Sequence, residues 1–164
     1  MKSTGEVMGM ADDFGTAFYK AQLAAGLRLP TDGSVFMSAN NRDKRSLIPI
    51  ARKFIALGFR IVGTSGTVRA LRDAGLPAEQ LWKASEGRPN CVDAIRNRKV
   101  DLIINTPLGE TSFKDGWAIR TAAIQHNVPC ITTLSGASAA AAAIAALRDD
   151  HPQVMCLQEL HRDS

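Results

Sequence analysis

The chain has 164 residues, a formal charge of +4 and an ordinary globular make-up, 45% hydrophobic and 22% charged, which suits one domain with a short appendage. Its basic residues are scattered and aromatic residues make up only 5%, so a nucleic-acid surface built on base stacking is not expected. Cys91, Cys130 and Cys156 form no CxxC pair and His126, His151 and His161 no ligand-spaced cluster, which argues against a zinc site and a disulfide framework and for a reducing compartment.

Taken from the start, MKSTGEVMGMADDFG lacks the apolar core of a secretory signal. The longest apolar stretch, ASAAAAAIAAL at 137–147, is too short to span a bilayer. The expectation is a cytoplasmic chain without a membrane partner. KSTGEVMGM reads as extended, and DDFGTAFYKAQLAAG as a helix with Asp12 or Asp13 at its start and Gly26 as its stop. LRLPTDG follows as a polar linker. This opening part has no strand of its own and is expected to be the trailing end of something larger.

From residue 34 the apolar runs SVFMS, FRIVG, QLWKA, DLIIN, PCITT and QVMCLQEL have strand length. The segments KRSLIPIARKFIALG, TVRALRDAG, CVDAIRNR, WAIRTAAIQHN and ASAAAAAIAALRDD between and after them have helical spacing. Gly58, Gly75 and Asn127 are expected helix stops, and Pro49 falls in a first turn or at a kink. Nearly all-apolar strands alternating with helices predict an α/β domain, a mainly parallel sheet with helices on both faces. The alanine-rich helix is expected to pack on the sheet, and the three cysteines to be buried small apolar groups.

In such folds ligands sit beyond the carboxyl ends of the strands. Those ends supply Ser38 and Lys44, then Thr64-Ser65-Gly66-Thr67, then Lys83 with Glu86-Gly87-Arg88-Pro89, then Asn105-Thr106-Pro107. FRIVGTSGTVR, at 59–69, has the outline of a phosphate loop, yet lacks the lysine of GxxxxGK[ST] and the spacing of GxGxxG. Free N–H groups at a helix start and close approach at Gly63 and Gly66 suit an oxyanion. Lys44 and Lys83 would add charge-assisted hydrogen bonds, and Asn105 would read a neutral part of the ligand. Each residue also has an ordinary reading: threonines that cap a helix, lysines in solvent, an asparagine that closes a turn. Catalytic machinery is sparse. Glu86 and Asp43 are the acids of this rim, no histidine joins them, and neither Ser65 nor Ser135 has an adjacent base. The rim therefore reads as a binding site.

STGEVMG, GTSGTVRALRDAGL, KxxEGRP at 83–89, and IINT followed by TTLSG closely resemble the end of the carbamoyl-phosphate synthase large-chain family, across essentially the whole chain in order. The resemblance implies that residues 1–29 are the tail of an ATP-using synthetase unit. Residues 30–164 would form a methylglyoxal-synthase-like regulatory domain, three-layered, with a mainly parallel five-stranded sheet. It implies a parent ligase that uses ATP, Mg or Mn, and K, serves pyrimidine and arginine biosynthesis, and works with a glutaminase small chain. This fragment would need no cofactor and have no activity of its own. UMP or IMP would bind at Ser38, Lys44, Thr64, Ser65, Gly66, Thr67, Lys83, Asn105 and Thr106, and ornithine near Cys130 and Thr132, with homo-oligomer contacts between large chains. Three positions depart from well-studied bacterial members: Pro107 replaces a threonine, Ser65 a histidine, and Cys130 a tyrosine. The alternatives are a methylglyoxal-synthase-type lyase acting on dihydroxyacetone phosphate, whose rim aspartates SEGRPN and INTPLG lack, and an assembly domain without a ligand.

Overall fold

A computed structural model describes residues 5–106 and 110–149, together with residue 158. The elements run α1 (Phe14–Ala24), β1 (Ser34–Ala39), α2 (Lys44–Ala56), β2 (Arg60–Gly63), α3 (Ser65–Asp73), β3 (Glu79–Gln80), α4 (Cys91–Arg96), β4 (Leu102–Thr106), α5 (Glu110–Gln125), β5 (Cys130–Ile131) and α6 (Leu134–Asp149). The strands form one sheet of order β3-β2-β1-β4-β5, and every pairing is parallel. The chain builds outward from β1 to β3, then returns to the other side of β1 with β4. The reversal lies between β1 and β4.

The period-2 alternation of the central strands sorts their side chains into two cores. Val35, Met37, Ile61, Leu102 and Ile104 join the core under α2, α3 and α6, with Leu47, Phe54, Leu71 and Ile144. Phe36, Val62 and Ile103 point the other way, into the core under α4 and α5, with Cys91, Ile95 and Ile119. Burial on both faces is why these strands read as unbroken apolar runs. The result is the expected three-layer α/β architecture with a parallel five-stranded sheet.

Local signals fix most boundaries. The Asp13 carboxylate accepts the Thr16 N–H at 2.9 Å and caps α1. Asn90 and Asp93 form a reciprocal capping box at α4. Gly58, at φ +76°, closes α2: its N–H reaches Ile55 O at 2.8 Å while Phe59 N–H reaches Phe54 O at 3.0 Å. Gly75 ends α3 in the same way, and Asn127 also adopts positive φ. Pro49 lies inside α2 rather than in its first turn.

Some boundaries differ from the sequence reading. α3 begins at Ser65, so Ser65, Gly66 and Thr67 are its first turn and not a loop before it. α5 begins at Glu110, ahead of the WAIRTAAIQHN pattern. QLWKA is not a full strand: β3 is Glu79–Gln80, and Trp82 makes only an isolated bridge to Asn90. QVMCLQEL apart from Gln158, and Pro107, lie outside the described residues, as do Cys156, His151 and His161.

The opening helix is packed tightly. α1 lies along α6, and Phe18 and Tyr19 pack against the first core, to which Leu29 belongs. A Cβ on Gly15 would stand 2.8 Å from the carbonyl oxygen of Ala142, so the two backbones approach as closely as small residues allow. The alanines of α6 serve close packing on both sides, against the sheet and against α1.

Gly63 is a point of close backbone approach at the end of β2, because a Cβ there would collide with the Met37 carbonyl. Gly63→Ala is predicted to force β1 and β2 apart and to cost about 1–3 kcal/mol. Urea unfolding followed by circular dichroism measures this. A midpoint equal to wild type would contradict the close approach.

Candidate functional site

Parallel strands end together on one rim, and the crevice at the reversal between β1 and β4 is where this topology leaves room for a ligand. Register places Ser38 opposite Asn105 and Ala39 opposite Thr106 across that crevice. β2 ends beside them, delivering Thr64 and the first turn of α3. Strand pairing thus brings Ser38, Asn105 and Thr106 together, and the junction of β2 with α3 sets Thr64 and Thr67 beside them.

Thr64 is the N-cap residue of α3, yet its side chain makes no capping hydrogen bond. Its hydroxyl faces inward instead, 3.4 Å from Ser38 Oγ and 3.3 Å from Thr67 Oγ1. The helix start is therefore left without a side-chain cap, and Ser65 and Gly66 are exposed there. An anion placed at this end would meet first-turn N–H groups and the positive end of the helix dipole. Thr67 has a different duty. Its hydroxyl is buried and accepts the Ala39 N–H at 3.0 Å, tying α3 to the end of β1.

Lys44, at the start of α2, reaches the same helix end. Its Nζ would lie 2.9 Å from a Cβ on Gly66, and it donates to Asn41 Oδ1 at 2.7 Å. A side chain on Gly66 would have to displace the ammonium from that space. A cation beside a helix N-terminus is unfavourable by itself, since both carry positive charge. The pairing makes physical sense once an anion sits between them.

Lys83 stands apart. The Leu81 N–H donates to Gly63 O at 2.8 Å, which carries the chain alongside the end of β2. Lys83 then turns to Glu86, whose carboxylate accepts the Lys83 backbone N–H at 3.0 Å and lies 3.6 Å from Nζ. Both side chains are well exposed, so this ion pair contributes little to stability. Cys130 lies in β5, on the far side of β4 from β1, and Thr132 is exposed just beyond it. Neither joins the Thr64 cluster. Cys130 is half-buried rather than buried, and burial pushes its thiol upward while Arg120 pulls it down. Cys91 is fully buried, and burial pushes its thiol up to about 11.

Two polar atoms of the cluster lack partners among the described residues: Asn105 Nδ2 and Thr106 Oγ1 are both buried without a hydrogen bond there. Such groups cost free energy in the ligand-free protein and mark where a ligand's polar atoms would be welcome. The two side chains leave β4 on opposite faces, Asn105 toward the α4 and α5 side with Ile103, Thr106 toward the α2 and α6 side with Ile104.

Asn40 and Asn41 were not singled out from sequence. Asn40 donates from Nδ2 to Thr106 O at 3.0 Å and to Asp43 Oδ2 at 2.6 Å, and its Oδ1 accepts the Arg42 N–H at 2.9 Å. It holds the β1–α2 turn onto β4. The available signal was the N-N-R-D-K string, an Asx turn leading into a helix. A cleft of about 410 Å³ lies elsewhere, lined by Ser85, Arg88, Asn90, Asp93, Arg96 and Ala118 among others. Asn90 and Asp93 there are committed to the α4 cap, and Asp93 lies 3.8 Å from Arg88. The strand-end site is thus identified by chemistry and not by volume.

Two substitutions separate the structural hydroxyl from the orphan one. Thr67→Val leaves the Ala39 N–H unpaired and is predicted to cost about 1–3 kcal/mol. Thr106→Val removes an unpartnered hydroxyl and is predicted to be neutral or stabilising in the ligand-free protein. Denaturant midpoints measure both, and an inverted order would overturn the assignment.

Comparison with known proteins follows the same lines. A profile of the MGS-like domain matches residues 46–132. The carbamoyl phosphate synthase large chain of Acidobacterium capsulatum is 55% identical over 98% of this chain, which covers 15% of that protein. The C-terminal section of the large chain from Methanopyrus kandleri is 48% identical over 99% of this chain, covering 30% of that section. Among solved structures, methylglyoxal synthase from Elizabethkingia anophelis superposes with a TM-score of 0.54 at 17% identity, covering 67% of this chain and 76% of that one. That likeness shows the fold alone. The chain spans a small part of its full-length relatives, 15% of the large chains from A. capsulatum and Archaeoglobus fulgidus. With the profile spanning more than half of its length, the chain belongs to the MGS-like domain family.

Proposed function

We propose that this chain is the nucleotide-binding regulatory portion of a carbamoyl-phosphate synthase large chain. Residues 1–29 are the tail of the preceding ATP-using unit and residues 30–164 the effector domain. The observation that carries this reading is the uncapped start of α3 with the Lys44 ammonium seated over Gly66. That arrangement suits a phosphate monoester, held by first-turn N–H groups, the dipole and one cation. The unpaired Asn105 amide donor suits a neutral acceptor elsewhere on the same ligand, as a nucleoside would supply. UMP and IMP are the effectors proposed, with Lys83 as a second cation.

The described acids of the rim are already engaged, Asp43 by Asn40 and Glu86 by Lys83. A reaction needing a free general base has little support there, so the fragment's role is to sense. Ligand binding would bias the attached synthetase unit, with a coupling of about 1–3 kcal/mol being usual for such linkage. The parent chain would make carbamoyl phosphate with its glutaminase small chain, in the cytoplasm, for pyrimidine and arginine synthesis. Ornithine at Cys130 and Thr132 belongs to this proposal at the junction with the preceding unit.

Titration calorimetry with UMP and IMP tests the reading. Wild type is expected to bind, and Lys44→Ala to bind at least about tenfold more weakly. Absence of binding by wild type would remove the proposal. Formation of methylglyoxal from dihydroxyacetone phosphate would replace it with a lyase.

A further inference from the structure

The two lysines of the proposed site are held by neighbours three residues away, but by different chemistry. Lys83 faces Glu86, a carboxylate three residues later, at 3.6 Å. Lys44 donates to Asn41, an amide three residues earlier, at 2.7 Å. A carboxylate fixes an ammonium and offsets its charge. An amide oxygen fixes it and leaves the charge intact. Only the amide-held lysine is shown against the uncapped end of α3, over Gly66.

We infer that Asn41 is the positioning residue of the anion site, holding the Lys44 ammonium over the first turn of α3 with its full charge available to the ligand. This rests on the reading of that turn as a phosphate cradle. Lysine otherwise gives up considerable side-chain entropy on binding an anion. Asn41 has made that restriction before the ligand arrives. The turn that carries it is itself anchored, because Asn40 bridges Thr106 O and Asp43, and the Asn40 N–H reaches Thr106 O at 3.2 Å. Asn41 is exposed, so its replacement is not expected to unfold the domain. Other charged groups in the turn leave this arrangement intact: Asp43 is bonded to Asn40, and Arg42 is exposed. Lys83 begins in the opposite condition, and an anion has to compete with Glu86 for it.

The test uses the whole chain and two probes, UMP and inorganic phosphate, at low and moderate salt. Asn41→Ala is expected to weaken binding about fivefold by freeing Lys44. Asn41→Asp is expected to weaken it more, about tenfold or beyond, and to flatten the salt dependence because the cation is already neutralised. Asn41→Gln, which keeps the amide, should recover part of the loss. Thermal midpoints of all three should match wild type. If Asn41→Asp and Asn41→Ala bind like wild type while Lys44→Ala does not bind, the positioning role is wrong and the phosphate cradle stands. If wild type binds neither probe, the cradle and the positioning role fall together. If Asn41→Asp binds as Asn41→Ala does, with unchanged salt dependence, the charge argument fails.

Discussion

Where the strand order of this parallel sheet reverses beside β1, the end of β1 keeps its ladder with β4 but outruns β2, and the fold makes up that shortage on one side. Beyond Met37 the ladder thins, and the last N–H groups must be paired by other means. Ala39 N–H is taken by the Thr67 hydroxyl from α3, and Asn40 N–H by the Thr106 carbonyl from β4. Two stitches, one from each side, hold β2 with its helix and β4 at fixed distances from β1. The inward Thr64 hydroxyl, the uncapped first turn and the Ser38–Asn105 register pair lie beside them.

That arrangement commits some polar groups and leaves others unsatisfied. The first kind is structural: Thr67, Asn40 and the Asn90–Asp93 box bind backbone and define turns. The second kind is uneconomical for an empty protein. Buried groups without partners, at Asn105 and Thr106, lower stability. A lysine placed beside the positive end of a helix does the same. Such features at the strand ends are understandable if an occupant satisfies those within its reach.

Much of the fold was legible because the sequence states it locally. The runs SVFMS, FRIVG and DLIIN became β1, β2 and β4 since burial on both faces demands apolar side chains throughout. Gly58 and Gly75 signalled helix ends because positive φ is cheap only there. The strand-end list for the site followed from topology, and five of its members share the crevice. Other features needed the third dimension. QLWKA looked like a strand, but only two residues find a parallel partner on this edge. Thr64 could not be distinguished from an ordinary cap until its hydroxyl was seen turning inward. Cys130 could not be told from a buried thiol, because its exposure depends on lying in a short edge strand. Asn41 carried no apolar or charge pattern, and its role arises only where Lys44 meets another helix.

The contact between α1 and α6 has a mechanical consequence. Long side chains at a helix interface can yield by changing rotamer, so a small shift on one side is absorbed before it reaches the other. Glycine and alanine have no such torsions to give up. Where Gly15 meets the backbone of Ala142, a displacement of one helix is passed to the other as rigid motion. At that point the opening segment is held to α6 by backbone against backbone, with no side-chain torsion between them to yield.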